Sequence, residues 1–202
     1  MKVILLWITP DSEKMCEIAM LSCRNLFKDL PFNDLTFDER LKIIFQRGHL
    51  GILEHASASF MIQNISRVFT HQHVRHRIGI SHAQISMRAV ELQNLRTIVP
   101  PKIAANPEAL DIYLTEWKNI RNAYDKLRKK GIPPEDARFI SGAGVQSQVM
   151  TTATFRAWIH YLEERLYKGA QWEIREVAEE IWRRLREYAP KIFDPKWRDY
   201  WK

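Results

Sequence analysis

Residues 75–88 read Arg75-His76-Arg77-Ile78-Gly79-Ile80-Ser81-His82-Ala83-Gln84-Ile85-Ser86-Met87-Arg88. Three guanidiniums and two imidazoles fall within these fourteen residues. Cations this close repel one another and resist burial, so a folded chain keeps them only where they face solvent or share an anionic partner. Ile78, Gly79, Ile80, Ala83 and Ile85 interrupt the run, which therefore reads as the wall of a site and not as a solvated charged tail.

Upstream, residues 55–65 alternate Ala56, Ala58, Phe60 and Ile62 against Ser57, Ser59, Met61 and Gln63, the pattern of a strand buried on one face. Ser66 offers an N-cap to a short helix carrying Val68, Phe69, Gln72 and Val74. The Arg-His-Arg triplet thus stands where a helix gives way to a loop bent at Gly79, a place where side chains converge on a ligand. Nearer the start, residues 3–8 predict a buried strand ended by Pro10, and Asp11 or Ser12 then caps a helix to about Phe27. Thr36 and Glu39 have capping-box spacing, Gly48 supplies a stop after Arg47, and Leu41, Ile44 and Phe45 share one helical face.

Downstream, residues 92–99 form a weaker strand candidate closed by Pro100-Pro101. Asn106-Pro107 opens a helix running to Lys130, with Gly131 behind it. A short helix from Pro134 to about Ile140 precedes Ser141-Gly142-Ala143-Gly144, and residues 145–153 fit either a strand or an early helix. Thr154 caps a helix to about Tyr167. Ile174, Val177, Ala178, Ile181, Trp182, Leu185 and Tyr188 mark the stripe of a last helix.

With 202 residues, 46% hydrophobic and 27% charged, the chain can bury one sizeable core, and one domain over residues 1–202 is expected. Thirty-one Lys and Arg against 24 Asp and Glu give a net charge of +7, which favours an anionic partner. Much of that excess lies in residues 128–130, 183–186 and 196–202, interleaved with acids as on solvated helix faces, so bulk charge names no partner. Cys16 and Cys23 lie two turns apart in one predicted helix, beyond disulfide reach, and are expected as reduced, semi-buried thiols. The opening MKVILLWITP is too short for a secretory core, and no stretch approaches the roughly 20 apolar residues of a membrane span, so a cytoplasmic chain is expected.

His49, His55, His71, His73, His76 and His82 raise the question of a metal, but no HxxxH helix or CxxC pair organises them. Gly142 and Gly144 lack the pattern of a phosphate loop, and no GxSxG elbow supports Ser81 or Ser86 as a nucleophile. Arg138, Arg156 and Arg165 lie within or beside apolar segments, where a long cation must snorkel, pair or bind an anion. Together with Arg75, Arg77 and Arg88 they supply bidentate grips suited to phosphates and imide edges.

GHLGILEH at 48–55, SFMIQNISR at 59–67, Gln72 ahead of the triplet, eight residues from Arg77 to Ser86, and RLYKGAQWEI at 165–174 together resemble the flavin-dependent thymidylate synthases, over about residues 15–190. The resemblance implies an α+β fold, a mixed sheet packed with long helices, assembled as a homotetramer whose active sites form at subunit interfaces. It implies reductive methylation of dUMP to dTMP, with FAD as cofactor, methylene-tetrahydrofolate as carbon donor and NADPH reducing the flavin. Such chemistry needs no cysteine nucleophile, because the protein's task is positioning and polarisation.

Carried over by position, the resemblance implies that Arg75, His76 and Arg77 contact FAD, with Arg75 also reaching the nucleotide. It places His49 at the flavin and folate edge with Gly51 and Glu54 on the same turn, and Thr154, Arg156 and His160 at the flavin. It implies that Gln72, the residues Gln84, Ile85, Ser86, Met87 and Arg88, and Arg138 hold dUMP, with Gln84 also near the cofactor. Arg165 matches the arginine that faces the pyrimidine and favours ionisation at nitrogen 3. Ala83 and Gln84 stand where the family commonly has Asn-Glu, Ala89 where it has Tyr, and His160 and Thr154 where asparagine is frequent. Those departures leave open a flavin-dependent uridylate modification other than methylation. A basic nucleic-acid-binding protein is the other reading, but arginines interleaved with imidazoles and apolar residues suit a pocket, so neither nucleic acid nor membrane is expected as partner.

Overall fold

A computed structural model describes residues 1–23 and 35–201. Four strands, β1 (Lys2–Ile8), β2 (Ser57–Ser66), β3 (Ile80–Gln84) and β4 (Gln146–Thr154), form one sheet in the order β1-β2-β4-β3. Every neighbouring pair is antiparallel, which corrects the expected mixed sheet. Ser59 meets Thr152 at 2.8 Å and Gln146 reaches Asn64 at 2.6 Å, so numbers rise along β2 as they fall along β4. Thr154 N–H to Gly79 O and Ile85 N–H to Gln148 O, both 3.1 Å, set the same register between β3 and β4. The physical reason is that each excursion returns the chain to the strand end it left: Thr9 N–H, just past β1, donates to Ser57 O at the start of β2.

β1 is an edge strand, and its expected burial fails. Only Val3 is buried, while Leu6 and Trp7 are 49% exposed, because an edge strand has no neighbour on one side. β4 resolves the ambiguity over residues 145–153. Ser147, Val149, Thr151 and Ala153 point inward at period two, and the hydroxyls among them hid that period from a hydrophobicity reading.

α1 (Ser12–Ser22) starts at Asp11, which sits at φ 46° and makes no side-chain cap, contrary to the sequence reading. Its predicted end near Phe27 lies outside the described residues. α2 (Phe37–Arg47) carries the full capping box: Glu39 N–H donates to Thr36 Oγ1 and Thr36 N–H to Glu39 Oε2, and Gly48 closes it at φ 69°. α3 (Arg67–His73) is capped by Ser66, whose hydroxyl accepts from Phe69 N–H at 3.0 Å. The strand candidate at 92–99 is instead a 3₁₀ turn, Leu92–Asn94, and a single bridge from Thr97 to Val145. A short helix α4 (Pro101–Ala104) leads to α5 (Pro107–Lys129), capped by Asn106 as its sequence requires. α6 (Pro134–Ala137) continues into a 3₁₀ turn, Arg138–Ile140. α7 (Phe155–Arg165) is capped by Thr154, and α8 (Trp172–Tyr188) buries Ile174, Val177, Ala178, Ile181 and Leu185 completely, leaving Tyr188 exposed.

The chain divides into two compact units: Met1–Lys2, Ile62–Arg75 and Ala83–Val149 form one, and Val3–Met61, His76–His82 and Met150–Lys202 the other. In the first, Met87, Leu92, Leu95, Tyr124, Ala137 and Val145 make the core, with Trp117, Ile120 and Leu127 of α5 against it. In the second, Trp158 stands edge-on to Phe60 at 5.3 Å and donates its indole N–H to Ala58 O at 3.1 Å, tying α7 to β2. Phe45 of α2 stacks on Trp197, also at 5.3 Å.

Candidate active site

Within the second unit, α7 carries Arg156, His160 about one turn on, and Arg165 at its C-terminal end, about two and a half turns from Arg156. Arg165 Nε donates to His76 Nε2 at 2.9 Å. His76 is therefore an acceptor and neutral: burial, then the charges of Arg165, His160 and His82, hold its pKa down to about 4. Its ring lies edge-on to Tyr161 at 4.8 Å, and burial pushes that phenol's pKa up, so it stays protonated. His82 Nδ1 lies 3.0 Å from Thr151 Oγ1 and its Nε2 2.9 Å from the His76 carbonyl.

A cleft of about 280 Å³ opens beside this group, lined by Thr154, Arg156, His160, Ile78, Ile159 and Trp201, among others. Ile78 is almost wholly exposed, and the buried indole nitrogen of Trp201 has no hydrogen-bond partner among the described residues. Arg156 pairs with Glu54 at 2.7 Å with both groups half-exposed, a pair that water screens and a ligand can displace. His49 and Gly51 line another cleft, of about 450 Å³, with His55, Met20, Cys23 and Ile52. Arg77 is exposed.

The first unit holds the rest. Arg75 is exposed, and Gln72 donates to Val68 O at 3.3 Å within its own helix. Gln84 extends its amide to Thr70 Oγ1 at 3.2 Å and Ser147 Oγ at 3.3 Å, half-buried against β4. Ile85 is half-buried and Ser86 exposed, its hydroxyl accepting from Arg88 N–H at 3.2 Å. Met87 is buried in the unit's core and also lines a cleft of about 620 Å³ with Arg67, His71, Arg138, Phe139 and Ser141. Glu135 gathers two of the arginines, since its carboxylate takes Arg88 Nε at 2.8 Å and its carbonyl takes Arg138 Nε at 3.0 Å.

Arg67 is the residue that sequence reasoning missed. Burial, and after it the charge of Arg138, lower its pKa from the ordinary arginine value, and among the described residues no carboxylate forms a salt bridge with either cation. Two half-buried guanidiniums lining one cleft give it a positive field that favours an anion. The signal was present, because Arg67 interrupts the apolar run Ile65 to Phe69 just as Arg156 interrupts its own. Among the described residues no group of three or more His, Cys, Asp or Glu is arranged to hold a metal ion, and no helix is long and apolar enough to cross a membrane.

The family model described as thymidylate synthase complementing protein matches residues 4–191. A flavin-dependent thymidylate synthase from Geobacter sulfurreducens is 35% identical over 96% of this chain and 85% of its own length. One from Clostridium tetani is 31% identical over 95% and 85%, and one from Pyrococcus abyssi 40% identical over 71% and 59%. A match that spans residues 4–191, and so runs through both compact units, leaves one conclusion: the chain belongs to the family of flavin-dependent thymidylate synthases.

Proposed function

We propose that this chain performs the reaction its family is named for, reductive methylation of dUMP to dTMP, with methylene-tetrahydrofolate as carbon donor. The observation that carries this reading is the Arg165–His76 pair on the family's own motif residues, a guanidinium held by a neutral imidazole. Bound FAD, reduced by NADPH, supplies the hydride. The lining of the smallest of the three clefts fits a flavin: apolar Ile78 and Ile159, the nitrogen-bearing side chains of Arg156 and His160, and Trp201, whose buried indole N–H lacks an acceptor among the described residues. His76, Arg77 and Thr154 complete that surface, and His49 and Gly51 serve the flavin and folate edge.

Arg165 grips the imide edge of the pyrimidine, favours ionisation at nitrogen 3 and so raises electron density at carbon 5. Gln72, Arg75 and residues 84–88 position the nucleotide, and Arg138 with Arg67 binds its phosphate. Active sites shared among the subunits of a cytoplasmic homotetramer bring these groups together; neither nucleic acid nor membrane takes part. The purified protein is then yellow, and anaerobic mixing with NADPH, dUMP and methylene-tetrahydrofolate yields dTMP. A colourless protein that FAD cannot reconstitute refutes this reading. A second reading, another flavin-dependent uridylate modification, draws on the Gln84 amide bonded to Thr70 and Ser147 where the family commonly has a carboxylate; product mass separates the two.

A further inference from the structure

The motif roles leave His82 without a task, yet its ring joins two parts of the site. The His76 carbonyl can only accept, so the His82 Nε2 at 2.9 Å carries the proton, and in the neutral ring Nδ1 accepts from the Thr151 hydroxyl at 3.0 Å. His76 has the opposite tautomer, since its Nε2 accepts from Arg165 and its proton sits on Nδ1. A continuous chain of hydrogen bonds and one residue's covalent frame therefore runs from Thr151, completely buried on β4, through His82 and His76 to the guanidinium. Gly79 makes this closure possible: at φ 69° it folds the chain so that residue 82 reaches back to residue 76, and its α-carbon lies so near Thr154 and Ala157 that an added Cβ would stand 3.2 Å from each.

Because Arg165 spends Nε on His76, the orientation of the His76 ring decides where the terminal Nη1–Nη2 edge points. We propose that His82 is a positioning residue of the Arg165 site: by bridging Thr151 and the His76 carbonyl it fixes the triplet backbone, so that His76 aims the arginine at the nucleotide. His82 touches no ligand and acts only through its neighbours. The proposal rests on the reading of Arg165 as the pyrimidine-facing residue, but its structural half stands independently of turnover.

Two experiments test it. In ¹⁵N-histidine-labelled wild-type protein, NMR should show His82 protonated on Nε2 and His76 on Nδ1; the reverse tautomer at either ring overturns the proposal whether or not any variant folds. In kinetics, His82→Phe should lower turnover of dUMP ~10–100-fold, the scale of a reacting group displaced by about an ångström, with the nucleotide KM changed less than about threefold. His82→Gln, which keeps a donor near the Nε2 position, should recover most of that loss. In an Arg165→Lys background His82→Phe should cost under about threefold more, because the group it positions is already lost. Equal losses in both backgrounds, or an unchanged His76 NMR signal in His82→Phe, mean that His82 is merely structural. Absence of dTMP from the wild-type enzyme would refute the proposed reaction while leaving the tautomers as found.

Discussion

Arg165 Nε and His76 Nε2 lie 2.9 Å apart, the guanidinium donating and the imidazole accepting. That polarity requires a neutral ring, consistent with the pKa of about 4 that burial imposes, against an ordinary 6.5. Between these values the unfolded chain binds a proton that the folded chain refuses. This group therefore makes stability rise with pH from about 4 to about 6.5, and adds no further slope above that. Thermal melts across the range should show the slope, and His76→Gln should flatten it. A ring titrating near 6.5 by NMR in the folded protein contradicts this.

Arg165→Lys keeps the charge but loses both the Nε donor to His76 and the planar fork. Turnover should fall by about 100-fold or more, with a smaller change in nucleotide KM, since the lost interaction strengthens as charge develops in the ring. Steady-state kinetics read the split; a pure KM effect would mean that Arg165 only binds.

Arg67→Ala should weaken dUMP binding by roughly tenfold or more, the scale of a hydrogen bond to a charged group. The melting temperature should not fall, because Arg67 is half-buried beside a second cation and its burial is unfavourable until an anion arrives. Calorimetry of dUMP binding paired with melting curves checks both halves.

Gly144→Ala should destabilise the first unit by about 1–3 kcal/mol. An added Cβ would collide with the Tyr113 hydroxyl, which sits 2.7 Å from Thr97 Oγ1 and donates to Ile98 O at 2.9 Å. Tyr113→Phe removes the colliding atom, so the double variant should lose less than the sum of the two. The glycine that superficially resembled part of a phosphate loop is thus needed for side-chain clearance.

Alkylation of the folded protein should label Cys23 and spare Cys16, and unfolding should expose both thiols to reagent. Cys16 is wholly buried, and burial, aided by Glu13, pushes its pKa up to about 12, whereas Cys23 is exposed. The expectation that both are semi-buried holds for neither. Mass spectrometry before and after denaturation counts the labels.

Helix ends were legible because capping is local: Thr36 with Glu39, Ser66, Asn106 and Thr154 each bond to backbone within three residues. Asp11 had the right residue type but took a left-handed backbone that carries its side chain away from the cap. Strands were harder to read. β4 hides its period behind buried Ser147 and Thr151, whose hydroxyls become acceptable inside only once partners such as Gln84 and His82 arrive from elsewhere in the chain. Arg67 escaped notice for a similar reason, since its significance depends on Arg138, seventy-one positions away.

The sequence by itself determined the family, the helix boundaries set by caps, and most of the crowded cationic side chains, Arg67 excepted. Residue type, spacing and charge repulsion act at short range along the chain and need no tertiary partner to be read. Tertiary structure alone decided the sheet's direction, the joining of Arg165 to His76, and the placing of the His82 ring between Thr151 and the His76 carbonyl. Each of these depends on a hydrogen-bond partner brought close by folding. An imidazole's tautomer, like a strand's direction, is set by whichever donor or acceptor lies opposite it.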